Sequence, residues 1–179
     1  RGLSAFDATH RLAVNFLYEV PFLRGRNDLT GDVLGGWQLG GILSLQSGFP
    51  LTVTTTQDFN QDGVASDRPN LLTSLARVVG HSPRDFLNGA FGAPDNLGTL
   101  FRPAAPGTNG NLGRNVFRGP GYASFDLSLM KSFALPWFTN ENSRLEFRSE
   151  FFNLFNRVNL RAPNMSLGAF NAATGLWSN

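Results

Sequence analysis

The stretch YASFDLSLMKSF, residues 122–133, alternates with a period of two. Phe125, Leu127, Leu129 and Phe133 fall on one side, and Ser124, Asp126, Ser128 and Ser132 on the other. Lys131 interrupts the apolar side near its end. Successive side chains of an extended chain point to opposite sides, so this stretch reads as a strand with one apolar and one polar face.

Three more stretches read the same way. Over residues 10–20, Leu12, Val14, Phe16, Tyr18 and Val20 share a face, opposite Arg11, Ala13, Asn15, Leu17 and Glu19. Over 36–48, Trp37, Leu39, Leu43 and Leu45 share a face with Gly41, opposite Gln38, Gly40, Ile42, Ser44 and Gln46. Over 144–156, Leu145, Phe147, Phe151 and Phe155 oppose Arg144, Glu146, Arg148 and Glu150. Strands in soluble proteins are usually about 5–6 residues long, whereas tilted membrane strands need about 9–11. These segments have the membrane length.

The connections follow a short–long–short order: residues 21–35, then 49–121, then 134–143. Membrane barrels have short periplasmic turns and longer extracellular loops. The order predicts that the first strand runs toward the periplasm and that 49–121 is one long extracellular loop. Tyr18, Phe22, Trp37, Phe133, Trp137 and Phe138 lie near the two short turns, where an interfacial aromatic girdle belongs. The expected fold is therefore all-β: an antiparallel meander of four long strands forming a segment of a transmembrane β-barrel. Four strands cannot close a barrel, for which about eight is the minimum. Residues 1–179 are thus expected to be part of a larger barrel.

Composition agrees. Charged residues make up 16% and aromatics 12%, with 17 Phe and 20 Gly. That charge is well below the roughly 25% usual for soluble domains. The net charge of +2 is too balanced to argue for a nucleic-acid partner, and Lys131 is the only lysine. There is no cysteine, so disulfides, thiolate metal sites and a Cys nucleophile are excluded. No apolar run reaches the length of a transmembrane helix.

Four blocks carry a family resemblance: FDATHRLAVNFLYEVPF (6–22), LGGWQLGGILSLQSGFPLTV (34–53), GNLGRNVFRGPGYASFDLSLMKSF (110–133) and LEFRSEFFNLFNRVNL (145–160). In this order they resemble the C-terminal barrel of TonB-dependent outer-membrane receptors, most closely the Oar-like members that bear a carboxypeptidase regulatory domain. The resemblance implies a barrel of roughly 22 strands around a plug. It implies a bacterial outer-membrane location, contact with lipid, and energy-coupled uptake of iron chelates, corrinoids or glycans. The plug, the TonB box and the closing strand would lie outside this chain, and the TonB complex would be met through the parent protein.

Lipid-facing positions are expected at Leu12, Val14, Phe16, Leu43, Leu45, Phe125, Leu127, Leu129, Phe147 and Phe151. Arg144, Glu146, Arg148 and Glu150 could form a paired-carboxylate active site. Each acid has arginines beside it, so the pattern reads as a structural charge ladder on the lumen wall. The chain is expected to be no enzyme. It contains no G-x-S-x-G elbow, P-loop or G-x-G-x-x-G, and its histidines are His10 and His81 alone.

Asp58, Asn60 and Asp62, followed by Gly63 and Asp67, match the start of an EF-hand-like calcium loop. Pro69 stands where that loop would end in a bidentate Glu. The alternative is an Asx-rich surface turn needing no metal. Residues 70–91 have a weak helical pattern in Leu71, Leu72, Leu75 and Val78, and Ser82-Pro83 could open a second short helix over 84–88. Phe59, Arg68, Phe91, Phe101 and Arg102 are candidate ligand contacts, because loops are where binding concentrates. Asn164-Met-Ser166 matches a glycosylation sequon, read here as chance. Two readings compete with the transporter: a secreted or surface-attached β-rich adhesion protein braced by calcium, and a soluble carbohydrate-processing β-domain.

Overall fold

The computed structural model describes residues 2–22, 25, 28–72, 100–135 and 143–178. In chain order its elements are β1 (Arg11–Glu19), α1 (Leu29–Leu34), β2 (Gln38–Gln46), β3 (Pro50–Leu51), β4 (Asn70–Leu71), β5 (Phe101–Arg102), β6 (Phe117–Arg118), β7 (Tyr122–Ala134), β8 (Arg144–Phe151), β9 (Ala169–Asn171) and β10 (Leu176–Ser178). The chain divides into two compact units.

One unit comprises His10–Gln46 and Tyr122–Val158. Its four long strands form an antiparallel sheet in the order β1-β2-β7-β8. All four alternating segments are thus strands, and sequence neighbours pair as a meander. The fourth is shorter than its periodicity implies. The expected strand over 144–156 ends at Phe151, because Asn153 and Asn156 both adopt φ +48, a left-handed conformation incompatible with a strand. Asp126 holds that turn by accepting the Asn153 N–H at 2.8 Å. The Leu154 N–H still reaches the Phe125 carbonyl at 2.8 Å.

The short connection between β1 and β2 contains α1, which the sequence pattern did not reveal. Asp28 is its N-cap and accepts the Gly31 N–H at 2.9 Å. The Gly35 N–H closes the turn on the Gly31 carbonyl at 2.8 Å.

The other unit draws on three separate segments: Arg1–Thr9, Ser47–Gly121 and Asn159–Asn179. Short ladders β3–β6, β4–β5 and β9–β10 and a parallel bridge between Thr54 and Ser166 organise it. Its core is Val53, Phe101, Leu112, Phe117, Leu167 and Trp177. The Trp177 indole N–H donates to the Phe101 carbonyl at 3.1 Å, and the two rings of Phe101 and Phe117 meet edge-on with centroids 6.5 Å apart. Polar side chains stitch the segments. Arg118 pairs with Asp7 at 3.0 Å and donates to the Gly48 carbonyl at 3.2 Å. The Gln57 side chain accepts the Phe170 N–H at 2.8 Å.

The long loop therefore shares a packed core with Leu167 and Trp177 from the C-terminal segment. The helix expected from residue 70 is corrected at its start: Asn70 and Leu71 pair with Arg102 and Phe101 as strands. Asn70 and Asn111 fix that geometry reciprocally, the Asn111 N–H donating to the Asn70 side chain at 2.8 Å and the Leu71 N–H to the Asn111 side chain at 2.7 Å. The remainder of that helical pattern and the second helix over 84–88 lie outside the described residues.

Candidate functional site

The register sorts the sheet into two faces. Phe16 lies opposite Gly41, Gly41 opposite Leu127, and Leu127 opposite Phe151. One step along, Tyr18, Leu39, Leu129 and Ser149 form the next row. Parity then puts all ten expected lipid-facing residues on this same face: Leu12, Val14, Phe16, Leu43, Leu45, Phe125, Leu127, Leu129, Phe147 and Phe151. Not one of them is buried. Phe16 stacks on Phe125 at 6.4 Å, and Phe125 on Phe155 at 5.5 Å. A soluble sheet would cover such a face with another layer, because exposed apolar patches of this kind mark contact surfaces.

The opposite face carries the charge ladder. Its rows include Leu17–Gly40–Ser128–Glu150 and Glu19–Gln38–Met130–Arg148. Glu146 faces Ser132, and Arg144 faces Ala134. Arg148 pairs with Glu150 along its own strand, with both side chains well exposed. Exposed pairs of this kind contribute about 0–1 kcal/mol, so this pair adds little to stability. Leu17 and Ile42 make this face mixed, as the first segment's alternation implied.

Lys131 lies on the apolar face, in the row with Trp37 and Phe147. It is 4% exposed. Its Nζ donates to the Gly35 carbonyl, just past the end of α1. The Trp37 and Phe133 rings lie 5.6 and 4.9 Å from it. Trp37 also meets Phe147 edge-on at 5.8 Å. An amine among apolar side chains needs such partners. The sequence marked Lys131 as an interruption and gave no sign of its carbonyl partner. Of the expected girdle, Tyr18, Trp37 and Phe133 lie at the turn end of the sheet, Phe22 is exposed, and Trp137 and Phe138 lie outside the described residues.

In the 58–67 loop the oxygens of the four candidate calcium ligands meet N–H groups. Asp58 accepts the Asp62 and Gly63 N–H groups at 3.2 and 2.8 Å. Asn60 accepts the Asp62 N–H at 3.0 Å, and Asp62 accepts the Val64 N–H at 2.9 Å. Asp67 is buried and accepts the Phe59 and Asn60 N–H groups at 2.6 and 2.7 Å. The Asn60 and Asp62 bonds are Asx-turn bonds, whereas those of Asp58 and Asp67 span four to eight residues and close the loop. Among the described residues no three of His, Cys, Asp and Glu group to hold a metal ion.

One ligand-contact expectation is overturned. Phe101 is fully buried and belongs to the core. Phe59 packs against that core, and Arg68 donates to the Leu112 carbonyl at 2.8 Å. Arg102 lies 5.4 Å over the Phe170 ring and remains exposed. Phe91 lies outside the described residues.

A family model described as an outer membrane beta barrel domain matches residues 1–177. The chain belongs to the outer membrane beta barrel domain family. Its place is the outer membrane and its solvent on one side is lipid, which agrees with the uncovered apolar face. No curated protein and no solved structure matches the chain. For an outer membrane barrel, two-faced strands of this length are the required element, since each backbone polar group must be paired inside hydrocarbon.

Proposed function

We propose that this chain is part of the barrel wall of a TonB-dependent transporter, taking up large or scarce nutrients such as iron chelates, corrinoids or glycans. The apolar face of the four-stranded sheet meets lipid. The face bearing Arg144, Glu146, Arg148 and Glu150 lines the lumen. In this reading residues 49–121 are the long extracellular loop, and the chain performs no bond chemistry. One observation carries the reading: the four resembling sequence blocks fall on the four long strands and the ends of the long insert, in one register with a single apolar face. The plug and the TonB complex are partners of the parent protein in this reading.

The test is growth of a host lacking the gene, with iron, corrinoid or glycan limiting in turn, restored by the intact gene. Restoration on one nutrient that disappears when the TonB complex is deleted supports the transporter. Restoration that survives that deletion points to a passive barrel, and the energy-coupled reading fails.

A further inference from the structure

Beyond β8 the chain folds back onto its own sheet. Leu127 lies opposite Phe151, so an unbroken ladder would set Phe125 opposite Asn153. Instead the Phe125 carbonyl accepts the Leu154 N–H at 2.8 Å, one residue further on. An extra residue of this kind ends pairing and re-aims the side chains beyond it. Asp126, on the polar face, holds the shift. One of its carboxylate oxygens accepts the Asn153 N–H at 2.8 Å and the Ser124 hydroxyl at 3.0 Å. Asn153 adopts φ +48, which asparagine tolerates better than most side chains. Its side chain then accepts the Arg157 N–H at 3.0 Å and donates to the Arg157 carbonyl at 2.9 Å, closing the turn.

The turn decides the place of Phe155. Its ring stacks on Phe125 at 5.5 Å, and Phe125 stacks on Phe16 at 6.4 Å. Phe16 and Phe125 belong to the apolar face, so the stack carries Phe155 to that same side of the sheet. Even so, Phe155 is 75% exposed. Phe125 lies on β7, which is paired on both sides, by β2 and β8. A further strand at the open side of β8 would lie in the plane of the sheet, roughly 5 Å beyond β8, and not over β7. What covers Phe155 is therefore what covers the apolar face.

We propose that Phe155 is a lipid contact outside the strands, and that Asp126 is the positioning residue that seats it there from the opposite face. The occupant is lipid, because the three stacked rings are continuous with the face that an outer membrane barrel turns to the bilayer. A carboxylate on the polar side of β7 thus sets where an aromatic ring meets lipid on the other side. The inference rests on the apolar face being the lipid-facing one.

The chain has no cysteine, so a single introduced cysteine carries one fluorophore. The full-length barrel, with any cysteine outside this chain replaced by serine, is refolded into phosphatidylethanolamine–phosphatidylglycerol vesicles. The probe stands at Phe155→Cys, with Leu129→Cys and Ser128→Cys as controls on the two faces. Spin-labelled lipid should quench the Phe155 probe about twofold or more, as contact with the bilayer requires. Iodide in the water should quench Ser128 more strongly than Phe155. Asp126→Ala should lower lipid quenching at Phe155 and leave Leu129 unchanged. Asp126→Asn, whose side-chain carbonyl still accepts the Asn153 N–H, should restore it. Asn153→Ala opens the same turn from its other side; it serves if Asp126→Ala does not refold, and should lower the quenching likewise. Unchanged quenching in the variant that refolds overturns the positioning role. A Phe155 probe quenched by iodide as strongly as Ser128 lies in water and overturns the lipid contact. Shielding from both quenchers places protein over Phe155 and overturns it equally. If Leu129 escapes lipid quenchers while Ser128 meets them, the assignment of faces itself has failed. If Leu129 is quenched by lipid and Phe155 is not, only the inference about Phe155 fails.

Discussion

The ring of Phe16 lies on the backbone of Gly41, its partner across the β1–β2 ladder. A Cβ on Gly41 would stand 2.3 Å from Phe16 Cε1, closer than any real contact. The missing side chain is the seat of the ring. An aromatic laid over a cross-strand glycine restores the packing that the glycine lacks. It also aligns Phe16 for stacking on Phe125.

Gly41→Ala should therefore destabilise the folded sheet by about 1–3 kcal/mol, the usual cost of overpacking. Gly40→Ala should cost less, because its Cβ would meet the single rotatable Ser128 hydroxyl. Urea midpoints for refolding into lipid vesicles measure both. Equal costs at the two glycines would remove the special seating of Phe16.

Leu127→Arg puts a cation on the apolar face and should cost about 2–4 kcal/mol near the bilayer midplane. Ser128→Arg puts it on the opposite face and should cost far less. The same titration compares them. Similar losses would mean that the two faces do not see different solvents.

Phe101→Ala should cost about 3–5 kcal/mol, since the ring is wholly enclosed. Hydrogen exchange should rise first in β4–β5 and β9–β10. Trp177→Phe removes the indole bond to the Phe101 carbonyl and should cost about 0.5–1.5 kcal/mol, the usual net worth of one hydrogen bond. Unchanged exchange in both variants would show that these side chains do not hold the unit together.

Asp67→Asn weakens two bonds to backbone N–H groups and should cost about 1.5–3 kcal/mol, the range for bonds to a charged acceptor. Asp58→Asn and Asp62→Asn, in more exposed surroundings, should cost less. Exchange protection across residues 58–67 should be the same in millimolar calcium and in chelator. A gain with calcium that Asp58→Asn abolishes would instead identify a metal loop.

The strands were legible because their signal is local. A period of two survives in any register, and the alternation in residues 122–133 and 10–20 predicted both faces of β7 and β1 correctly. The end of β8 was not, since Phe151 to Phe155 keep alternating while Asn153 turns on a bond to Asp126, 27 residues away. Phe101 looked like a loop aromatic because its burial depends on Trp177 and Phe117, which no window around residue 101 contains. Lys131 shows the same limit. Its charge was visible, but the Gly35 carbonyl that receives it is 96 residues distant.

The three-part construction of the second unit governs what can be transplanted. A graft of residues 47–121 into another barrel would carry Val53, Phe101 and Phe117 away from Leu167 and Trp177 and open their core to water. It would also leave Arg118 without Asp7. The heritable module is the trio of segments, so recombination that diversifies this unit must exchange residues 159–178 and the N-terminal strip together with the insert.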